Sequence, residues 1–137
     1  KNNQGPTKSF GKFLGCQTRM ILGQGCMRTE PKLTTALVNT AIDRMNRFLF
    51  VGLLEEWNLS ICLFNMIMTK SSFALHSQLM DTRPTHGKKV GSNYDVPSDF
   101  PVDRFDTLLY QSAVERFQRD VKSHNVSLDS CVTKCAK

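Results

Sequence analysis

A chain of 137 residues lies near the commonest size of a single domain, about 100 to 150 residues, and its 40% hydrophobic and 22% charged residues, with nine Phe and six Met, suffice for a packed core. This composition argues against wholesale disorder. The formal net charge of +6 comes from scattered Lys and Arg residues with no RNA-binding or zinc-finger signature, so a nucleic-acid partner is not expected.

Residues 1–14 begin with a Lys-, Asn-, Gln- and Gly-rich stretch containing Pro6, a composition that predicts a flexible or extended arm. The first residue is Lys1 and no apolar signal core follows, which suggests a longer precursor or a processed end. From residue 15 to 137 the chain reads as one domain or part of one. Cys16 to Leu22 predicts a short helix ended by Gly23 or Gly25, glycine being the usual residue just past a helix end.

Thr34 can cap a helix, and Leu37, Val38, Ala41, Ile42, Met45 and Phe48 recur at helical spacing, predicting a helix over Thr34 to Arg47. The run Phe48 to Leu54 has no polar alternation. It predicts a strand covered on both faces, as in a parallel sheet. After Glu55 and Glu56, Asn58 or a neighbour opens a second helix carrying Ile61, Cys62, Phe64, Met66, Ile67 and Met68 and ending near Lys70 to Ser72. Helix, strand, helix in this order points to an α/β layered fold.

Asp81 to Val102, with three prolines and two glycines, predicts a long loop. A last helix starts near Asp103, with Phe105, Leu108, Leu109, Ala113, Phe117 and Val121 facing inward and a Glu115 to Arg119 pair facing outward. Both apolar runs, Phe48 to Leu54 and Ile61 to Met68, fall short of half the roughly 20 residues of a membrane-spanning helix, so no span is expected.

The chemistry-bearing residues are few. Cys62, inside an apolar run, is expected to pack as a free core thiol. Cys16, Cys26, Cys131 and Cys135 can pair, locally as Cys16 with Cys26 and Cys131 with Cys135, although sequence leaves connectivity and the reduced state open. Bridges would mean an oxidising compartment. His76, His86 and His124 are too dispersed for a metal cage, and Cys131, Cys135 and His124 lack zinc-like spacing, so no metal is expected. No Cys-His motif suggests a nucleophile, and no catalytic residue is assigned. Two glycosylation triplets occur; Asn58-Leu59-Ser60 reads as a helix cap, leaving Asn125 of Asn125-Val126-Ser127 as the acceptor candidate.

Several segments together resemble a known family. Phe50-Val51-Gly52-Leu53-Leu54-Glu55-Glu56-Trp57 followed by Ser60-Ile61-Cys62-Leu63-Phe64 is similar to a strand-to-helix block near the end of Golgi-type carbohydrate sulfotransferase domains. The preceding helix through Ala41 and Met45 fits the same pattern, as does Gly15-Cys16-Gln17-Thr18-Arg19-Met20. Asp106, Leu109, Tyr110, Ala113 and Phe117 match the family's D-x-x-L-Y-x-x-A-x-x-x-F helix. The resemblance covers about residues 15 to 122, is distantly like heparan sulfate 2-O-sulfotransferases, and extends to sulfotransferase-like proteins of algae and other protists.

The resemblance implies part of a P-loop-like fold, a central parallel sheet that binds 3′-phosphoadenosine 5′-phosphosulfate and transfers its sulfuryl group to a carbohydrate hydroxyl without a metal. The donor cradle of backbone amides and Lys, and the Arg and Ser that hold the 3′-phosphate, precede this region in the family. Gly5-Pro6-Thr7-Lys8-Ser9 is no substitute, because Pro6 removes an amide and the spacing is wrong. An Arg-Asp-Pro phrase is absent. The family's R-x-T-x-x-K pattern does occur: by resemblance, Arg83 would clamp an anionic substrate group while Thr85 and Lys88 touch donor phosphate. Met80, however, stands where a hydroxyl residue would help bind the nucleotide.

These features lead to the expectation of a truncated or degenerate sulfotransferase-like protein with no required cofactor, acting as a non-catalytic subunit. Its partners would be other protein subunits covering an exposed sheet edge. The alternative is the C-terminal segment of an active enzyme that uses 3′-phosphoadenosine 5′-phosphosulfate and a carbohydrate acceptor. Golgi lumen is the location implied by the family, and a membrane or organellar assembly by the subunit reading.

Overall fold

The computed structural model describes residues 11–71, 73–80, 101–131 and 133–134. The chain divides into two compact units, one comprising Lys1–Asn46 and Gly87–Gln111, the other Arg47–His86 and Ser112–Lys137.

In the first unit a turn of 3-10 helix, Gly11–Phe13, precedes helix α1, Cys16–Ile21. Gly15 caps α1 in the left-handed region at φ 71°, and a Cβ on it would run into the Leu33 side chain. Only glycine meets both demands. The far end closes as the sequence predicts: Gly23 takes φ 79°, its N–H bonding Met20 O at 3.0 Å and that of Gln24 bonding Arg19 O at 2.8 Å. These paired bonds satisfy carbonyls at the end of the helix.

Helix α2 spans Thr35–Met45, capped by the Thr34 hydroxyl, which accepts the Leu37 N–H at 3.3 Å. It buries Val38, Ala41 and Met45, one stripe at helical spacing. Helix α3 is Trp57–Thr69 and helix α5 is Arg104–Ser123, with a single-turn helix α4, His76–Leu79, between them in sequence. The first unit takes the opening turns of α5, including buried Leu109.

The second unit holds the main apolar core: Leu53, Cys62, Leu63, Ala74, Phe117 and Val126, with Phe50, Leu59, Met66, Ala113 and Val121 packed against them. Strand β1, Ala74–Leu75, pairs in parallel with β2, Thr133–Lys134, in register Ala74 to Thr133 and Leu75 to Lys134. The described residues are therefore mostly helical, with a two-residue parallel pairing as their sheet.

This corrects the expected helix-strand-helix order of an α/β layer. Phe48 to Leu54 is bend and irregular backbone, not a buried strand, and only Leu53 of the run is buried. An apolar run identifies side chains that favour burial, but a strand also needs neighbours to bond its N–H and C=O groups. Here Ser60 does part of that work: its hydroxyl accepts the Leu53 N–H and donates to Leu53 O, both at 2.9 Å. Consequently, the sheet edge that partner subunits were expected to cover is not formed by this run. Phe48, Leu49, Gly52 and Leu54 of the run are exposed.

Helix α5 also differs in detail. Leu108 is exposed rather than inward, and the helix's ion pair is Arg116 to Asp120 at 2.6 Å, one residue beyond the expected Glu115 and Arg119, which both face solvent. No helix among the described residues is long and apolar enough to cross a membrane.

Candidate functional site

Arg83, Thr85 and Lys88, the residues implied by resemblance for substrate and donor contacts, lie outside the described residues, as do His86 and Cys135. Among the described residues no three His, Cys, Asp or Glu side chains cluster as metal ligands would. His76 opens α4, and His124, just past α5, has Nδ1 2.9 Å from Asp120 O and 3.1 Å from Ser123 Oγ.

The cysteines divide differently from the local scheme. Cys16 is bonded to Cys26, one of the open pairings. Cys62, expected as a free thiol, is bonded to Cys131, 69 residues away, with their Cα atoms 5.8 Å apart. Of the two local pairings left open, Cys131 with Cys135 is thereby excluded. Cys62 is in the core as its apolar neighbours require, but the fold brings Cys131 to it, and sequence spacing could not register that approach.

One polar constellation in the first unit joins distant segments. Asp103 Oδ2 accepts the Gly15 N–H at 2.7 Å. Asp106 accepts the Gln17 N–H at 2.9 Å, the Thr18 N–H at 2.8 Å and the Thr18 hydroxyl at 2.7 Å. Two carboxylates thus satisfy the Gly15, Gln17 and Thr18 amides at the start of α1, where the helix leaves donors unpaired and favours negative charge. Thr18 is wholly buried. Arg19, also buried, donates to Gln24 Oε1 at 3.1 Å and Pro31 O at 3.0 Å. With the Gly15, Gln17 and Thr18 amides and both carboxylates occupied internally, this constellation works as a clasp. Asp103 was legible only as a helix start and Asp106 only as part of the family helix phrase; their pairing with Gly15 to Thr18 spans about 88 residues of sequence and left no local signal.

A surface groove lies in the second unit. Glu55, Glu56, Trp57, Asn58, Leu59 and Leu128 line a shallow groove of about 210 Å³. Trp57 is half-exposed, with its indole N–H donating to Gln78 O at 2.9 Å. Gln78 is held in turn, because its Oε1 accepts the Leu75 N–H at 2.8 Å and the Asn65 Nδ2 at 3.3 Å, while Asn65 also donates to Phe73 O at 2.7 Å. The ring is thereby fixed at its polar edge. Beside it in sequence, Leu54 is 81% exposed and Leu49 67%, with Phe48 also exposed. Asn58 is the second residue of α3, not its cap; Glu56 holds the cap position and makes no side-chain cap bond.

No family model, curated protein or solved structure matches this chain.

Proposed function

We propose that the chain acts as a non-catalytic interaction subunit, related by resemblance to the sulfotransferase-like family, with protein partners covering the apolar surface around Phe48 to Trp57. The observation that carries this reading is the exposure of Phe48, Leu49, Leu54 and Trp57 in one short segment. Single exposed apolar residues are ordinary, but several together are characteristic of contact surfaces. Aromatic residues are enriched in such interfaces, and Trp57 with its fixed indole has the form of an anchor. Two disulfides support an oxidising compartment for the assembly.

The test compares the tagged chain with a Leu49→Glu/Leu54→Glu variant in its own host, by sedimentation of native extracts. The expected outcome is a wild-type complex well above monomer mass and a variant that sediments as monomer with both disulfides intact. Calorimetry with adenosine 3′,5′-bisphosphate addresses the catalytic alternative. No heat of binding is expected; clear binding that disappears in Arg83→Ala overturns the proposal and favours an active carbohydrate sulfotransferase segment.

A further inference from the structure

Of the two Asn-x-Ser triplets, the structure gives them different surroundings. Asn58-Leu59-Ser60 lies in the first turn of α3, and its Ser60 is buried with the hydroxyl engaged twice by Leu53. Asn125-Val126-Ser127 follows the end of α5 on a turn. Asn125 adopts a left-handed φ of 52°, as Asn does where a helix stops, and its N–H bonds Lys122 O at 3.2 Å. Its side chain is exposed, and no hydrogen bond among the described residues engages the carboxamide.

The middle residue orients the other two. Val126 is buried in the apolar core and its N–H bonds Val121 O at 3.1 Å, while Asn125 and Ser127 on either side face solvent. Ser127 Oγ accepts the Ser130 N–H at 3.1 Å, and Ser127 O accepts the Cys131 N–H at 3.1 Å. Cys131 is disulfide-bonded to Cys62. The turn is thus anchored by the helix end, by Val126 and by the bridge, with the asparagine left outward.

We propose that Asn125 is an N-glycosylation site. The triplet supplies the sequence requirement, the exposed carboxamide leaves room for a sugar on the folded chain, and the disulfides place the chain in the oxidising type of compartment where such transfer occurs. The donor is an oligosaccharide linked through diphosphate to a polyprenyl lipid. The Asn125 amide nitrogen forms a C–N bond to the anomeric carbon and gives up one proton. The anomeric C–O bond breaks, and its electron pair leaves with the lipid diphosphate. No electron is gained or lost overall. This inference stands apart from the interaction-subunit reading, since neither sulfotransferase ancestry nor a partner enters it.

The full 137-residue chain, expressed behind a secretory leader in cultured eukaryotic cells, provides the test. Total chain, retained and secreted together, is digested with peptide N-glycosidase in ¹⁸O-water and mapped by mass spectrometry, so the readout does not depend on successful export. Expected are a downward mobility shift by one core oligosaccharide and ¹⁸O-labelled Asp at position 125. The shift should be lost in Asn125→Gln and Ser127→Ala but kept in Ser127→Thr and Asn58→Gln. Absence of glycosidase-sensitive mass on the wild-type chain, a label only at position 58, or a shift that survives Asn125→Gln overturns the proposal.

Discussion

The two units reach stability by different means. In the first, six-residue α1 is too short to persist alone, and its ordering depends on carboxylates donated by the start of α5. In the second, α3 and the later turns of α5 contribute an apolar core closed by the Cys62 to Cys131 bridge. One helix serves both, with Asp103 and Asp106 at its start and Phe117 and Val121 further on. The difference teaches that a short element can be fixed by a few directional bonds where apolar area is scarce, whereas a larger core relies on area and cross-linking.

The comparison can be broken first at the bridge. Cross-linking residues 69 apart restricts the unfolded chain strongly, and Cys62→Ala/Cys131→Ala should lower stability by about 4 kcal/mol. Urea unfolding with hydrogen exchange should show the loss concentrated in α3 and the second half of α5. The clasp comes next. Asp106→Ala leaves two amides and the buried Thr18 hydroxyl without their acceptor, an expected loss of about 3 kcal/mol; exchange should accelerate in Cys16–Ile21 while α3 remains protected. Equal acceleration in both units would show that they do not unfold separately.

A smaller effect is expected at Ser60. Ser60→Ala strands the Leu53 N–H that its hydroxyl now satisfies, with an expected loss of about 2 kcal/mol and faster exchange at Leu53 as the local marker. The smallest is Thr34→Ala, which removes the α2 cap and should lower stability by about 1 kcal/mol, visible as fraying of the first turn of α2 by chemical shift. A Thr34→Ser variant should retain most of that stability, separating the capping oxygen from the methyl group.

Where bonding was local, sequence reasoning reached the structure. Thr34 caps α2, Gly23 ends α1, and the Val38, Ala41, Met45 stripe is buried. Phe105 and Leu108 show the limits: Phe105 is half-buried and Leu108 exposed although both fit the same apolar period. Periodicity defines a face of a helix; which part of that face meets a neighbour depends on segments far away in sequence. The groove residues Glu55, Glu56 and Trp57 belong to the phrase that carries the family resemblance, but their exposure is not legible in the sequence, because the run before them has the pattern of a covered strand.

Sequence by itself determined α1, α2, α3 and the start of α5 to within a few residues, but not α4, since capping, periodicity and glycine conformation act over a few residues. It also determined the chemical menu: five cysteines, two glycosylation triplets and no recognisable phosphate loop. Tertiary structure alone decided that Cys62 meets Cys131, that Asp106 closes α1 and that Phe48 to Leu54 is an irregular segment with Leu53 in the core and Phe48, Leu49 and Leu54 exposed. Each of these outcomes requires groups distant in the chain to arrive, or fail to arrive, beside one another. Hydrophobicity alone cannot specify that arrival, because burial is non-directional and any sufficient apolar neighbour satisfies it, whereas a disulfide, a clasp or a strand needs a particular partner at a particular distance.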